Sequence, residues 1–159
     1  MATIHGVHRK ITPYLAMDGV ITVSELLAKQ FPTTARLCTI YNGIVAAKPL
    51  TANARQDLRQ QQGVLVDENL IIAIGRLDKV KGFDLLLAAL VGLNAKLWLV
   101  GDGSERQALE EQAKTLGIID KINFLGWRSD VSDCLQAANL CVVSSRSEGF
   151  SYVIAEALQ

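Results

Sequence analysis

Two carboxylates, Glu148 and Glu156, follow a short apolar run at residues 140–143 near the C-terminal end of the sequence. The run predicts a buried parallel strand, and the helical spacing of apolar residues after Tyr152 predicts a helix. On a continuous helix the eight residues between the carboxylates would rise ~12 Å. Because free N–H groups at a strand–loop–helix junction favour anions, this pattern suits a nucleotide-sugar, with phosphates between hydroxyl-rich groups. The alternative is a first-turn charge at Glu148 and a solvated side chain at Glu156.

Two cations follow the apolar run 70–74, which predicts another buried strand. Arg76 comes directly after Gly75, and Lys81 precedes Gly82 at the predicted start of the next helix. An Arg and a Lys at a strand end and a helix N-terminus can clamp a diphosphate. The alternative is that both are ordinary surface cations.

Two further loops follow predicted strands. Gly101-Asp102-Gly103 is half of a dinucleotide-binding fingerprint, but the first strand–helix turn lacks the glycine triplet, so a tight turn is the favoured interpretation. Trp127 and Arg128 follow the predicted strand at residues 121–125 and could frame a nucleotide base by stacking. Core packing of Trp127 is an equal alternative.

Composition narrows the class of protein. The chain has 159 residues and is 50% hydrophobic, which supports a globular fold. Its formal net charge of +0 gives no support for a nucleic acid partner. Cys38, Cys134 and Cys141 have no metal-ligand spacing and indicate reduced thiols in a cytoplasmic protein. The histidines at positions 5 and 8 are expected at the surface, and we expect no metal site.

Strands alternate with helices from residue 70 onwards, which predicts an α/β fold with a doubly wound, parallel, Rossmann-like sheet. Residues 1–45 form a distinct segment with a weak helix at 5–17, strands at 19–23 and 37–41, and a helix at 25–30. Residues 46–69 form a connector with a helix at 51–62. Residues 70–159 form the main domain, in which the apolar helix 84–91 is expected in the interior.

Polar residues predict where several helices begin. Ser24 and Asp130 are expected N-caps, and Ser104 with Gln107 matches a capping box. The last helix reaches the end of the sequence without a cap. We therefore expect an incomplete sheet with one exposed apolar edge.

The sequence resembles the GT-B-fold retaining glycosyltransferases of group 1 (family 4) over residues 18–159. The resemblance is carried, in order, by Val23-Ser24-Glu25, Ile40-Tyr41-Asn42-Gly43-Ile44, Gly75-Arg76-Leu77 with Lys81-Gly82, Leu99-Val100-Gly101-Asp102-Gly103, Phe124-Leu125-Gly126, and Ser145-x-x-Glu148-Gly149-Phe150 with Glu156. Ser151 stands where the family often has Gly, and Asn139 where it often has Asp.

The resemblance implies one half of a GT-B fold, truncated at both ends. Residues 1–45 would be the tail of the acceptor-side domain, and residues 70–159 an incomplete nucleotide-sugar-binding domain. The implied reaction transfers a sugar from a UDP-, GDP- or ADP-sugar to a sugar or lipid-linked acceptor with retention and without a bound metal. From the family that it resembles, we expect a role in bacterial polysaccharide or lipopolysaccharide assembly. A peripheral membrane contact through the absent domain stays open.

The resemblance also implies roles for individual residues. Arg76 and Lys81, beside Gly75, would hold the diphosphate, and Glu148 would contact the donor sugar. Trp127 and Arg128 would border the base of the donor, and Glu156 would bind its ribose hydroxyls. The backbone N–H groups that would meet the phosphates or the sugar belong to Phe150, Ser151, Tyr152 and Val153. The catalytic residues would be Arg76, Lys81 and Glu148.

Other functions stay open at this point. One alternative is another GT-B enzyme, such as a glycogen, starch or sucrose-type synthase or a nucleotide-sugar epimerase. Another is a non-catalytic nucleotide-binding or interaction module. A dinucleotide-dependent dehydrogenase is disfavoured, because Gly75-Arg76-Leu77 stands where the glycine triplet belongs. We expect the complete protein to be a transferase and this chain alone to be inactive.

Overall fold

The computed structural model describes residues 2–5, 11–32 and 35–159, which fall into two compact units. The first unit is Met1–Val45 with Ser147–Tyr152, and the second is Ala46–Arg146 with Val153–Gln159. Part of the weak helix predicted at 5–17, and the histidine at position 8, lie outside the described residues.

The first unit contains a parallel sheet in the order β1-β2-β3. Its elements are β1 (Ala2–Ile4), α1 (Thr12–Leu15), β2 (Val20–Thr22), α2 (Glu25–Ala28) and β3 (Leu37–Thr39). The predicted strands at β2 and β3 are confirmed, and β1 is an addition that the sequence analysis missed. The cap at Ser24 is also confirmed, because its Oγ accepts a hydrogen bond from the Leu27 N–H at 3.4 Å.

A small apolar core holds the first unit together. Its buried members are Ile4, Val20, Val23, Leu27 and Phe31. The ring of Phe150 packs against this core from the segment Ser147–Tyr152. This segment, assigned by sequence to the nucleotide-sugar-binding domain, therefore groups with the first unit.

The second unit contains a parallel, 4-stranded sheet in the order β6-β5-β4-β7. Its elements are α3 (Ala52–Gln61), β4 (Leu70–Ile74), α4 (Phe83–Leu90), β5 (Lys96–Val100), α5 (Arg106–Thr115), β6 (Ile122–Gly126), α6 (Val131–Ala137), β7 (Leu140–Cys141) and α7 (Tyr152–Ala157), with 3-10 turns at Lys79–Lys81 and Ile119–Lys121. The first residue of α7, Tyr152, groups with the first unit. The strands are connected through helices and lie in the Rossmann-like order, with the first strand between the second and the fourth. The predicted α/β fold with a doubly wound parallel sheet is confirmed.

Alternating side chains of the central strands bury apolar surface on both faces of this sheet. Ile71 and Ala73 face the core formed with α4 and α5. Leu70 and Ile72 face the other core, which also contains Trp98 and α6 residues. Such burial on both faces explains why the strand sequences are continuous apolar runs.

The prediction for α4 is wrong in one respect. The helix is apolar almost all round, but only one side is buried, through Phe83, Leu86, Leu87 and Leu90. Leu85 on its other side is 53% exposed. At the edge of the sheet, Leu140 of the short strand β7 is 55% exposed.

Two of the predicted helix starts are also corrected. The capping box of Ser104 and Gln107 is wrong, because α5 begins at Arg106 and the Glu105 N–H donates to the Leu77 carbonyl at 2.9 Å. Asp130 precedes α6, but its carboxylate makes no cap hydrogen bond. It accepts hydrogen bonds instead from Arg128, through Nε at 2.7 Å and through Nη2.

A buried arginine joins α3 to the sheet. Arg59 is 5% exposed, and Nη1 donates to the Ala137 carbonyl at 3.0 Å and to Asn139 Oδ1 at 3.1 Å. Its Nη2 donates to the carbonyls of Leu65 and Glu68. Burial lowers the pKa of Arg59, and the surrounding oxygens compensate its charge. The predicted connector 46–69 is therefore part of the second unit.

Replacing Arg59 should destabilise the second unit strongly. Arg59→Met keeps a long apolar stem but removes the four hydrogen bonds that the buried guanidinium donates, which we expect to lower the free energy of unfolding by about 3 kcal/mol. The matched control is Arg55→Met, one helical turn earlier, where the hydrogen bonds are 3.3 Å long and partly exposed. There the expected loss is about 1 kcal/mol. Urea denaturation measures both, and equal losses would contradict this role of Arg59.

The Arg128–Asp130 pair should make stability depend on pH. The hydrogen bond from Arg128 lowers the pKa of Asp130 in the folded chain, so the pair stabilises the fold above the ordinary carboxyl pKa. That contribution is lost as pH falls through the lower folded-state pKa. Because both side chains are partly exposed, solvent limits the effect to about 0.5 kcal/mol. In urea denaturation, the stability gap between wild type and Asp130→Asn should be full above about pH 5 and should narrow below about pH 4; a gap independent of pH would contradict the ion pair.

Candidate functional site

The loops that follow β4, β5, β6 and β7 share one edge of the second sheet, because these strands are parallel. β5 and β7 lie on opposite sides of β4, so the chain changes direction across the sheet at β4. In open α/β sheets, a crevice at this switch point binds ligands. The carboxyl edge of β4 is therefore the candidate site within the second unit.

The loop after β4 brings the two predicted cations together. The aliphatic stem of Lys81 crosses Gly75, since a Cβ placed at Gly75 would lie 3.4 Å from Lys81 Cε. Arg76 follows Gly75 directly, and its side chain is 77% exposed. Its Nε donates to Asp78 Oδ2 at 2.6 Å. Both cations thus belong to one loop at the edge where anions bind.

The loop after β5 supports the loop after β4 through backbone contacts. A Cβ at Gly101 would lie 2.0 Å from the Gly75 carbonyl oxygen, and a Cβ at Gly103 would lie 2.4 Å from the Leu77 oxygen. The Leu77 N–H also donates to the Asp102 carbonyl at 2.9 Å. These glycines allow close approach of two backbones, in agreement with the tight turn favoured from sequence.

The loop after β6 carries the two residues predicted to border a base. Trp127 is 79% exposed, so the alternative of core packing is wrong. Arg128 is paired with Asp130, whose hydrogen bond raises the pKa of Arg128. Its charge is therefore partly compensated within the fold, and Trp127 offers the free aromatic face. Contact of either residue with a base stays a prediction.

The loop after β7 contains an arginine that the sequence analysis missed. Arg146 makes a bidentate ion pair with Asp84 in the first turn of α4, with Nη1–Oδ1 and Nη2–Oδ2 distances of 2.8 and 2.6 Å. The sequence signal was an arginine two residues before Glu148 to which no role was assigned.

The predicted donor-binding residues Glu148, Phe150, Ser151 and Tyr152 belong to the first unit. The Gly149 carbonyl accepts a hydrogen bond from Ser24 Oγ at 2.9 Å, and the Phe150 side chain lies against the core of that unit. The Phe150 ring also meets Tyr152 edge-on, with centroids 5.3 Å apart. Any donor contact at Phe150 is thus left to its backbone and stays a prediction.

The spacing of the two carboxylates is not helical. α7 begins at Tyr152, so Glu148 lies outside the helix, and the ~12 Å helical separation does not apply. The alternative of Glu148 as a first-turn helix charge is excluded for the same reason. Their roles toward sugar and ribose stay predictions.

Glu156 borders a cavity of about 400 Å³ within the second unit. The other walls come from the 47–49 segment, α6, the start of β7 and the end of α7. The lining includes neither Arg76 nor Lys81. The structure therefore places Gly75, Arg76 and Lys81 on one loop after β4. Glu156 and Val153 lie on α7, and the cavity beside Glu156 is not lined by any residue of that loop.

No helix among the described residues combines the length and the apolar character required to cross a membrane.

Known proteins match this chain in both sequence and structure. LpsD of Rhizobium meliloti, a lipopolysaccharide core biosynthesis glycosyltransferase, is 36% identical over 111 residues, covering 69% of this chain and 31% of LpsD. The lipopolysaccharide glucosyltransferase WaaG of Escherichia coli is 31% identical over 112 residues, covering 67% of this chain and 30% of WaaG. The chain thus spans about a third of these relatives.

Among solved structures, Anabaena HepE in complex with UDP-glucose matches with a TM-score of 0.80 and 27% identity. The match covers 93% of this chain and 44% of HepE. This similarity agrees with the Rossmann-like half of a GT-B fold. The sequence model described as "Glycosyl transferases group 1" matches residues 54–159, more than half of the chain. This chain therefore belongs to the group 1 glycosyltransferases.

Proposed function

We propose that this chain is the donor-binding part of a retaining glycosyltransferase. The complete protein transfers a hexosyl group from a nucleotide-diphosphate-sugar to a sugar or lipid-linked acceptor. The observation that carries this proposal is the loop after β4, where the Lys81 stem crosses Gly75 beside the exposed Arg76. Two cations at the carboxyl edge of a switch-point strand provide the charge that a diphosphate requires.

The same cations account for the chemistry of the leaving group. When the bond between the sugar and the diphosphate breaks, negative charge grows on the phosphate oxygens. Cations already held in place stabilise that charge at little reorganisation cost. The proposal therefore assigns charge stabilisation in the transition state to Arg76 and Lys81.

Further roles rest on the family resemblance. Glu148 contacts the donor sugar, Glu156 binds the ribose hydroxyls, and Trp127 with Arg128 borders the base. The backbone at 150–153 meets the phosphates or the sugar. The exposure of Trp127 supports its place at the base, since a stacking surface must be open to the ligand.

The relatives support a donor and a pathway. HepE holds UDP-glucose in its solved structure, so a uridine nucleotide is the first donor to test. LpsD and WaaG are named for lipopolysaccharide biosynthesis. We propose the same pathway for this protein, acting in the cytoplasm.

Removing Lys81 should weaken binding of the diphosphate. In calorimetric titrations of the chain with UDP, GDP and ADP, we expect one nucleotide to bind, and Lys81→Ala to lower its affinity about tenfold or more, as for loss of one charge-assisted hydrogen bond. The matched control is Lys114→Ala, an exposed lysine of α5 that pairs with Glu111. A folded wild-type chain that binds none of the three nucleotides would overturn the donor site and favour an interaction module.

Removing the Trp127 ring should affect a different part of the nucleotide. Trp127→Ala deletes a stacking surface worth about 1–3 kcal/mol per base. We expect Trp127→Ala to lower the affinities for UDP and UMP by the same factor. Lys81→Ala should lower the affinity for UDP far more than the affinity for UMP. The same titrations test this, and unchanged binding of both nucleotides by Trp127→Ala would place the base elsewhere.

A further inference from the structure

The loop after β7 donates hydrogen bonds to every residue of the turn that carries Lys81. In the turn Lys79–Lys81, the Lys79 carbonyl accepts from Arg146 Nη1 and the Val80 carbonyl accepts from the Arg146 N–H, both at 2.8 Å. The Lys81 carbonyl accepts from Ser144 Oγ at 2.9 Å. Each carbonyl of this short turn is thus bound by Ser144 or Arg146.

The two backbones also meet at a glycine. A Cβ at Gly82 would lie 2.2 Å from the Ser144 carbonyl oxygen, and Gly82 has a φ of +65°. A side chain is therefore excluded on both steric and conformational grounds. This contact brings the end of the Lys79–Lys81 turn directly against the loop after β7.

The Arg146 guanidinium is held in place by α4. Asp84 binds it in a bidentate arrangement, and the hydrogen bond from Arg146 lowers the pKa of Asp84. The carboxylate is therefore ionised at neutral pH. A planar guanidinium can satisfy Asp84 and the Lys79 carbonyl at once, whereas an ammonium lacks that fork.

We propose that Arg146 is a positioning residue, which fixes the Lys79–Lys81 turn so that the Lys81 stem stays across Gly75. This inference rests on the proposed function insofar as Lys81 binds a diphosphate. Arg146 itself acts through the turn and through Asp84. Its effect on the donor therefore requires Lys81.

The first test needs no nucleotide. Amide hydrogen exchange at residues 79–83 should accelerate about tenfold in Arg146→Gln, because removal of the guanidinium frees the turn to open locally. Arg146→Lys should give a smaller acceleration. The matched control is Arg106→Gln, which removes an arginine of similar exposure paired with Glu110. It should leave exchange at residues 79–83 unchanged.

The second test measures UDP affinity in a double-mutant cycle. Arg146→Gln should weaken UDP about fivefold to tenfold in the wild-type background and should have no further effect in Lys81→Ala. UMP should bind equally well with and without the Arg146 substitution. A merely structural ion pair would lower affinity by the same factor in both backgrounds.

The two tests separate the two proposals. Unchanged exchange at residues 79–83 in a folded Arg146→Gln variant overturns the positioning role, and so does equal weakening of UDP in both backgrounds. A wild-type chain that binds no UDP overturns the donor site, while hydrogen exchange still decides whether Arg146 holds the turn. Accelerated exchange with loss of affinity only when Lys81 is present supports both.

Discussion

Direct backbone contact between neighbouring strand-end loops is the constraint on which the candidate site depends. At Gly101 a Cβ would lie 2.0 Å from the Gly75 oxygen, and at Gly82 it would lie 2.2 Å from the Ser144 oxygen. No side chain fits at such distances, so the loops after β5 and β7 both press against the loop after β4. The positions of Arg76 and Lys81 therefore depend on close contacts with the neighbouring loops as much as on their own segment.

Charge compensation divides the arginines of the second unit into two groups. In the first group, the guanidinium donates hydrogen bonds to carbonyl or carboxylate oxygens of the protein itself, as in Arg59, Arg128 and Arg146. Arg76 keeps its side chain largely in solvent, with Asp78 as a partner at its Nε. A guanidinium already surrounded by acceptors gains little from a phosphate, whereas an exposed one has donors to offer. This contrast favours Arg76 over Arg128 as a ligand for the diphosphate.

The sequence predicted the features that depend on local pattern. Buried strands such as Leu70–Ile74 appear as continuous apolar runs, and parallel pairing then brings their ends to one edge. It did not predict the partners of polar side chains, because several candidates compete for each group. Asp130 could cap α6 or pair with Arg128, and the choice depends on the turn between β6 and α6. The pair of Arg146 with Asp84 joins residues far apart in sequence, so no local pattern could reveal it.

The two carboxylates of the family motif show where reasoning from spacing alone stops. A separation calculated from the helical rise treats residues 148–156 as one continuous helix, but α7 begins at Tyr152. Glu148 belongs to a segment tied to the first unit through Ser24 and Phe150, whereas Glu156 belongs to the second. Each carboxylate is thus positioned by a different core. A substitution that destabilises the first unit, such as one at Val23, should therefore disturb Glu148 while leaving the Arg76 and Lys81 loop intact, because that loop is supported within the second unit.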